Sequence, residues 1–140
     1  MTATNHHASA VAFGPMRGVL ILGPSGAGKS RLALALIGCG AQLVADDQVL
    51  LCQSGGALYA RAPRSISGLI EARGLGLLCL AVRRLARIVL AVDLSLPAVR
   101  MPEPALRSVA GVTIPCIPGR ADSSFARSLG HYVKSRAFSG

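Results

Sequence analysis

The spacing of apolar residues along the chain predicts an α/β fold with many short strands and two helices. Short apolar runs bounded by Gly, Pro or Asp are typical of strands that a core buries. They are found at 8–13, 18–22, 43–45, 48–52, 57–62, 88–92 and 112–117. A run of strong helix formers predicts a buried helix over 29–37, and apolar residues on one face predict a terminal helix over 123–137.

The connections between these segments indicate a mixed sheet. The strands at 8–13 and 18–22 are joined only by the turn 14–17, and so short a link requires antiparallel pairing because parallel strands need a long crossover. Ser54-Gly55-Gly56 predicts a second hairpin turn. A proline interrupts 112–117, which predicts an edge strand there. We therefore expect antiparallel hairpins within the sheet rather than a doubly wound parallel arrangement.

The first predicted helix follows a phosphate-binding loop. The residues Gly23-Pro24-Ser25-Gly26-Ala27-Gly28-Lys29-Ser30 fit the pattern G-x-x-x-x-G-K-[ST] at every fixed position. Glycine adopts backbone angles closed to other residues, so successive N–H groups can turn toward phosphate oxygens at the helix start. Lys29 would reach the β- and γ-phosphates, and the Ser30 hydroxyl would bind Mg²⁺. The alternative is a Gly-rich turn without a ligand, but the flanking strand and helix favour a nucleotide site.

Two further segments carry candidate chemistry. Asp46 and Asp47 follow the strand at 43–45, in a segment expected to be nearly continuously extended because no Gly or Pro separates them from 48–52. An acid beside a phosphate loop can hold Mg²⁺ or accept the proton of an attacking hydroxyl, whereas the alternative is a simple Asp turn. Glu71 and Arg73 fit either a phosphoryl-transfer loop or an internal salt bridge, and spacing alone leaves both open.

Composition restricts the other classes of function. The 140 residues are 51% hydrophobic, which suits one domain over 7–140 after a loose N-terminus at 1–6. A formal charge of +9 suggests binding to nucleic acid, but the basic residues are spread along the chain and only 4% of residues are aromatic, so we expect no nucleic-acid partner.

The chain has no apolar run of about 18 residues and no signal peptide pattern, which predicts a cytoplasmic protein without a membrane partner. The four cysteines are far apart among apolar neighbours, which predicts buried, reduced thiols.

Three segments, in this order and spacing, resemble the catalytic domain of bacterial HPr kinase/phosphorylase: the phosphate loop, Leu43-Val44-Ala45-Asp46-Asp47, and Glu71-Ala72-Arg73-Gly74-Leu75-Gly76. His7 and the segment 114–120 support the resemblance, which covers 7–138. It implies a P-loop kinase core related to phosphoenolpyruvate carboxykinase and a hexameric homo-oligomer. It also implies ATP-dependent phosphorylation of a serine on the phosphocarrier HPr of the phosphotransferase system, reversed by inorganic phosphate. Longer members carry a separate N-terminal domain, so we expect the catalytic-domain-only form.

The resemblance also implies roles for individual residues. Gly23 to Ser30 would bind the nucleotide phosphates or free phosphate, and Asp46 would be the catalytic acid/base in both directions. The catalytic residues would be Asp46, Asp47, His7, Glu71 and Arg73, and the metal ligands Ser30, Asp46, Asp47 and Glu71. Arg31 stands where many relatives have Glu, and Ala121 where Asn would follow Pro-Gly-Arg. These departures leave the balance between the kinase and phosphorylase directions open.

Two other functions stay possible from the sequence. A P-loop kinase of small molecules would need a lid, for which the Arg-rich stretch 83–87 is the candidate, although that stretch also fits a solvated helix face. A nucleotide-binding regulatory module without turnover would follow if the acids are structural.

Overall fold

The computed structural model of the chain describes residues 2–136, and within them it contains eleven strands and two α-helices. The strands are β1 (Thr4–His6), β2 (Ser9–Ala12), β3 (Gly18–Leu22), β4 (Gln42–Ala45), β5 (Val49–Ser54), β6 (Ala57–Arg61), β7 (Leu69–Ala72), β8 (Gly76–Cys79), β9 (Ala86–Asp93), β10 (Ala105–Val109) and β11 (Val112–Pro118), and the helices are α1 (Lys29–Gly38) and α2 (Ser123–Ser135). The predicted α/β fold class with a C-terminal helix is confirmed. Neither helix in this part of the chain has the length and apolar character that crossing a membrane requires.

Nine of the strands form one mixed sheet around β9. The order runs β1-β5-β6-β9-β3-β2-β4, and β11 joins at β9 with β10 on its outer side. Along one edge β9 pairs in parallel with β3, and along the other it pairs first with β6, antiparallel, and then with β11, parallel. The predicted antiparallel pairing of β2 with β3 is confirmed. Strands β7 and β8 form a separate hairpin.

The sheet has an apolar cluster on each face because side chains alternate across a strand. On β3, Leu20 belongs to one cluster, together with Leu51 and Leu58. Val19 and Ile21 belong to the other, which packs against the helices. The residues that α1 and α2 bury in this second cluster are Leu32, Ala33, Leu36, Ala126, Leu129 and Val133. Both helices therefore lie on the same face of the sheet, next to the phosphate loop.

The start of α2 is fixed by Asp122, whose carboxylate accepts a hydrogen bond from the Phe125 N–H at 2.7 Å. This bond to the charged form is the main reason that the pKa of Asp122 is lowered. The far end of the predicted helix, beyond residue 136, lies outside the described residues.

Strand pairing differs from the expectation in two places. Thr4–His6, expected within a loose terminus, forms β1 and pairs with β5, whose outer edge otherwise exposes backbone N–H and C=O groups. The segment expected to be an edge is β11, which lies between β9 and β10. Pro115 is tolerated because pairing with β9 begins one residue later, at Cys116. The strand at the outer edge beside β11 is β10, which the sequence did not predict because it follows a proline-rich connection.

Asp46 and Asp47 form a tight bend and not the extended segment that the sequence predicted. Asp47 has φ +67°, in the left-handed region that Asp tolerates better than most residues. The Gln48 N–H donates to the Asp46 carbonyl oxygen at 2.8 Å. The bend links β4, at one end of the sheet, directly to β5, near the other end, so the sheet has to curl until these strands approach each other.

The cysteines are free thiols, but the prediction that all are buried is wrong for three of them. Cys116 is buried, Cys39 and Cys52 are half-buried, and Cys79 is exposed. Apolar neighbours in sequence did not predict the burial of Cys52 and Cys79, because adjacent residues of a strand point to opposite faces. Cys39 lies at the C-terminal end of α1. Burial raises the pKa of the Cys116 thiol.

Candidate active site

The loop Gly23 to Ser30 connects the end of β3 to the start of α1. Gly28 caps the helix with φ +102°, and a Cβ at this position would lie 2.5 Å from the Ala121 Cβ. Both the backbone angle and the close approach of the segment after β11 therefore require glycine. The first turn of α1 has no side-chain cap and no acidic residue. Its free N–H groups and the positive end of the helix are available to an anion.

Lys29 folds back over this loop. Its ammonium group donates to the carbonyl oxygens of Gly23 at 2.8 Å and Pro24 at 3.1 Å. The residue is only 7% exposed, so its charge is held at the loop and does not extend into solvent. This places the cation where phosphates on the loop would meet it.

Asp46 lies behind the loop and is bonded to it. The Ser30 hydroxyl oxygen is 2.8 and 2.9 Å from the two carboxylate oxygens of Asp46. The Ser9 hydroxyl donates to Oδ1 at 2.7 Å, and the Glu71 backbone N–H donates to Oδ2 at 3.4 Å. The residue is 7% exposed. Burial of this carboxylate is therefore compensated by several donors, as a buried charge requires.

Asp47, the neighbouring acid, points outward. His7 Nε2 lies 2.9 Å from Asp47 Oδ1, in a contact that is an ion pair when His7 is protonated. The two side chains are 49% and 66% exposed, respectively. The tight bend thus gives adjacent acids opposite surroundings, one buried against the loop and one open to solvent beside a histidine.

A cavity of about 660 Å³ lies between the phosphate loop and the β7–β8 hairpin. Its lining residues are His7, Ser25, Gly26, Ala27, Gly28, Lys29, Ser30, Arg31, Leu34, Asp47, Glu71, Ala72, Arg73 and Leu75. The structure therefore brings His7, Asp47, Glu71 and Arg73 together with the loop, whereas Asp46 is not on the cavity wall.

Glu71 and Arg73 reach the cavity from the β7–β8 hairpin, Glu71 from β7 and Arg73 from the turn that follows. Among residues 2–136 no ion pair joins these two side chains to each other. The structure thus does not support the internal salt bridge that the sequence left open, and it places both charges where a ligand in the cavity would meet them.

The magnesium ligands expected from the sequence do not all converge. Within the part of the chain that the structure describes, no three His, Cys, Asp or Glu side chains form a group that could hold a metal ion. Ser30 and Asp46 do lie side by side, and Asp47 and Glu71 stand on the cavity wall. This arrangement fits Mg²⁺, which usually takes one or two protein ligands and completes its shell with phosphate oxygens and water. It does not fit a site made only of protein carboxylates.

Three features of the site were missed or misjudged at the level of sequence. Ser9 carried no signal except a single hydroxyl in an apolar strand, although it touches Asp46. Arg31 lines the cavity, and its guanidinium is 3.5 Å from the Ala121 carbonyl oxygen. The candidate lid at 83–87 is not a helix and does not line the cavity; Arg83 donates to the Gln42 side chain at 2.9 Å instead.

Comparisons with known proteins point in one direction. The sequence model of the HPr Serine kinase C-terminal domain matches residues 2–96. The HPr kinase/phosphorylase of Bordetella pertussis is 47% identical over 85 residues, which are 55% of this chain and 28% of that protein. The HPr kinase/phosphorylase of a Geobacillus species is 47% identical over 87 residues, 56% of this chain and 28% of that protein. The chain thus spans only about 28% of the length of these curated relatives.

A solved structure extends the similarity beyond the matched sequence. The structure of the Hpr(Ser) kinase/phosphatase from Coxiella burnetii superposes with a TM-score of 0.80 at 27% identity, covering 94% of this chain and 95% of that one. The likeness therefore includes the C-terminal part of the chain, where the sequence match had ended.

Proposed function

The chain belongs to the family of the HPr serine kinase C-terminal domain, and from that premise we propose that it is a protein-serine kinase/phosphorylase. It transfers the γ-phosphoryl group of ATP to a serine hydroxyl of an HPr-type phosphocarrier protein and reverses the transfer with inorganic phosphate. The observation that carries the proposal is the Ser30–Asp46 pairing at 2.8 and 2.9 Å beside a cavity that also holds His7, Asp47, Glu71 and Arg73.

The loop and its cation bind the phosphates. N–H groups from the loop and the start of α1 face the β- and γ-phosphates, and Lys29 exchanges its two carbonyl partners for phosphate oxygens. Mg²⁺, bound with the nucleotide, neutralises charge on these phosphates. Ser30 and Asp46 are placed to hold that ion, with Glu71 as a further oxygen donor. Arg73 contributes a guanidinium that can orient the transferred phosphoryl group.

The geometry favours Asp47 over Asp46 as the acid/base, in place of the role that the family resemblance gave to Asp46. Asp46 is committed to hydrogen bonds with Ser9, Ser30 and the Glu71 N–H. Asp47 lies on the cavity wall, where an incoming serine hydroxyl can reach it, and His7 orients its carboxylate. In the reverse direction the same group returns the proton to the leaving serine oxygen, as microscopic reversibility requires.

The two alternative functions have less support. A small-molecule kinase would need a lid over the cavity, and Arg83, in the stretch considered for it, is bonded to Gln42. A binding module without turnover would follow if the acids were structural, but Asp47 lies on the cavity wall beside His7. The free cysteines and the use of ATP agree with a cytoplasmic enzyme. We also propose that the chain forms a homo-oligomer, which by family resemblance is a hexamer.

A labelled-phosphate assay tests this function. The chain is incubated with Mg²⁺, γ-labelled ATP and an HPr-type protein, with an acceptor in which the target serine is alanine as the matched control. We expect label on the serine protein only, and its release from the phosphoserine form when inorganic phosphate is added. Label appearing on a metabolite in cell extract would support a small-molecule kinase. Nucleotide binding without any transfer would support the regulatory module.

A further inference from the structure

We propose that Ser9 is a positioning residue that holds both acids of the site at once. Its hydroxyl donates to Asp46 Oδ1 at 2.7 Å and accepts from the Asp47 backbone N–H at 3.3 Å. A hydroxyl can do both because it is a donor and an acceptor. The effect that we expect Ser9 to have on turnover rests on the proposed function, whereas its hydrogen bonds to the two acids do not.

The surroundings of Ser9 point to these two contacts as its purpose. The residue is fully buried in β2, and its neighbours Ala8 and Ala10 are also fully buried. This apolar strand therefore accommodates methyl side chains, and a buried hydroxyl is unfavourable unless it is hydrogen-bonded. Its partners are the two consecutive acids.

The contact with Asp47 fixes an uncommon backbone conformation. Asp47 has φ +67°, and a non-glycine residue keeps such an angle only when its surroundings hold it there. Its N–H is bonded to Ser9, and the next N–H, of Gln48, is bonded to the Asp46 carbonyl. If this turn relaxed toward extended backbone, the Asp47 side chain would leave the side on which His7 contacts it.

The contact with Asp46 acts on the loop. Oδ1 of Asp46 receives both the Ser9 and the Ser30 hydroxyls, so Ser9 limits the rotation of the carboxylate that Ser30 needs. A single side chain thus links the geometry of the loop serine to that of the exposed acid. A displacement of about 1 Å at such a centre can reduce the rate about a hundredfold.

The test compares Ser9→Ala and Ser9→Thr with Ser95→Ala as the matched control. Ser95 likewise donates its hydroxyl to a buried carboxylate, Asp93, at 2.6 Å, but it is not part of the cavity wall. Two quantities are measured: kcat and KM for ATP in phosphoryl transfer, and the amide hydrogen exchange rate of Asp47 by NMR.

For Ser9→Ala we expect kcat to fall about 10- to 100-fold with KM for ATP nearly unchanged, and the Asp47 amide to exchange about tenfold faster. Ser9→Thr keeps the hydroxyl and should retain both wild-type values. If its extra methyl group lowers stability, Ser9→Cys, with a weakly donating thiol, should give intermediate values. Ser95→Ala should leave both quantities unchanged.

The inference is wrong if Ser9→Ala keeps wild-type kcat and Asp47 exchange, or if its activity falls only in proportion to the unfolded fraction and equally in Ser95→Ala. Absence of transfer by the wild-type chain would overturn the proposed function instead. The exchange rate of the Asp47 amide would then still decide whether Ser9 holds the turn.

Discussion

Replacing each of the two adjacent acids by asparagine should give two different defects. Asp47→Asn preserves the shape of an exposed side chain and the left-handed backbone angle, which Asn tolerates as well as Asp. Asp46→Asn removes the charge from a buried carboxylate that receives the hydroxyls of Ser9 and Ser30. The first change affects proton transfer, whereas the second affects the support of the loop.

The sizes of the two defects follow from burial. The His7–Asp47 contact is largely exposed, so its loss should change the free energy of unfolding by only about 0–1 kcal/mol. Loss of a general acid/base should reduce turnover about 10²- to 10⁴-fold. At Asp46, each hydrogen bond to the charged carboxylate contributes about 1.5–3 kcal/mol. In Asp46→Asn the amide NH₂ group would face a donor, so one of these hydrogen bonds would be lost. We therefore expect Asp46→Asn to lower Tm by roughly 5–10 °C.

Thermal melts, titration calorimetry with nucleotide, and transfer assays in both directions separate these outcomes. Asp47→Asn should retain Tm and nucleotide affinity while losing both phosphorylation and phosphate-dependent dephosphorylation. Asp47→Asn with kcat within tenfold of wild type would refute the assignment of the acid/base to Asp47, and Asp46→Asn at an unchanged Tm would refute the structural support that Asp46 gives the loop. Loss of one direction alone would contradict a shared acid/base.

Three further outcomes are expected. Lys29→Ala should weaken nucleotide binding and abolish transfer, because it removes the ammonium group held over the loop; calorimetry that gives wild-type affinity would count against the site. Glu71→Gln should lower turnover about a hundredfold or more at a nearly constant Tm, whereas a drop of several degrees with normal specific activity would indicate a structural role. Burial alone would raise the pKa of Asp93, but hydrogen bonds from Ser95 and the ion pair with Arg107 at 2.7 Å lower it below its ordinary 3.8. Because the folded pKa is the lower one, Asp93 stabilises the fold above pH 3.8, and this contribution is lost as pH falls through the folded pKa. Arg107→Gln should therefore reduce the free energy of unfolding at neutral pH and weaken its dependence on acid, as measured by urea unfolding at about pH 7 and pH 3; an acid dependence equal to wild type would contradict this.

The parts of the fold that depend on local sequence could be predicted. The bounds of β3 and the start of α1 were correct because the loop between them needs glycine at particular backbone positions, which the sequence displays directly. The hairpin of β2 and β3 followed from the length of its turn. These are constraints within a few residues of chain.

The remainder depends on contacts between distant segments. The bend at Asp47 exists because a curled sheet brings β4 toward β5, and no local residue signals that curl. The strands β1 and β10 are short and largely exposed, so they have little apolar pattern to detect. Ser9 could not be assigned from sequence, because its role depends on partners 37 and 38 positions away.

The central position of β9 has a consequence for folding of the protein during its synthesis on the ribosome. The phosphate loop is complete in sequence by residue 30, yet the strand that enters it, β3, pairs with β9, about 70 residues further along the chain. The Leu94 N–H then bonds to the Leu22 carbonyl at 2.9 Å, immediately before the loop begins. In a nascent chain that has not yet released β9, the strand that enters the loop is therefore paired with β2 on one edge and lacks its partner on the other. Pairing over such a separation is slow, so nucleotide should assist late steps of folding and leave the earliest ones unaffected.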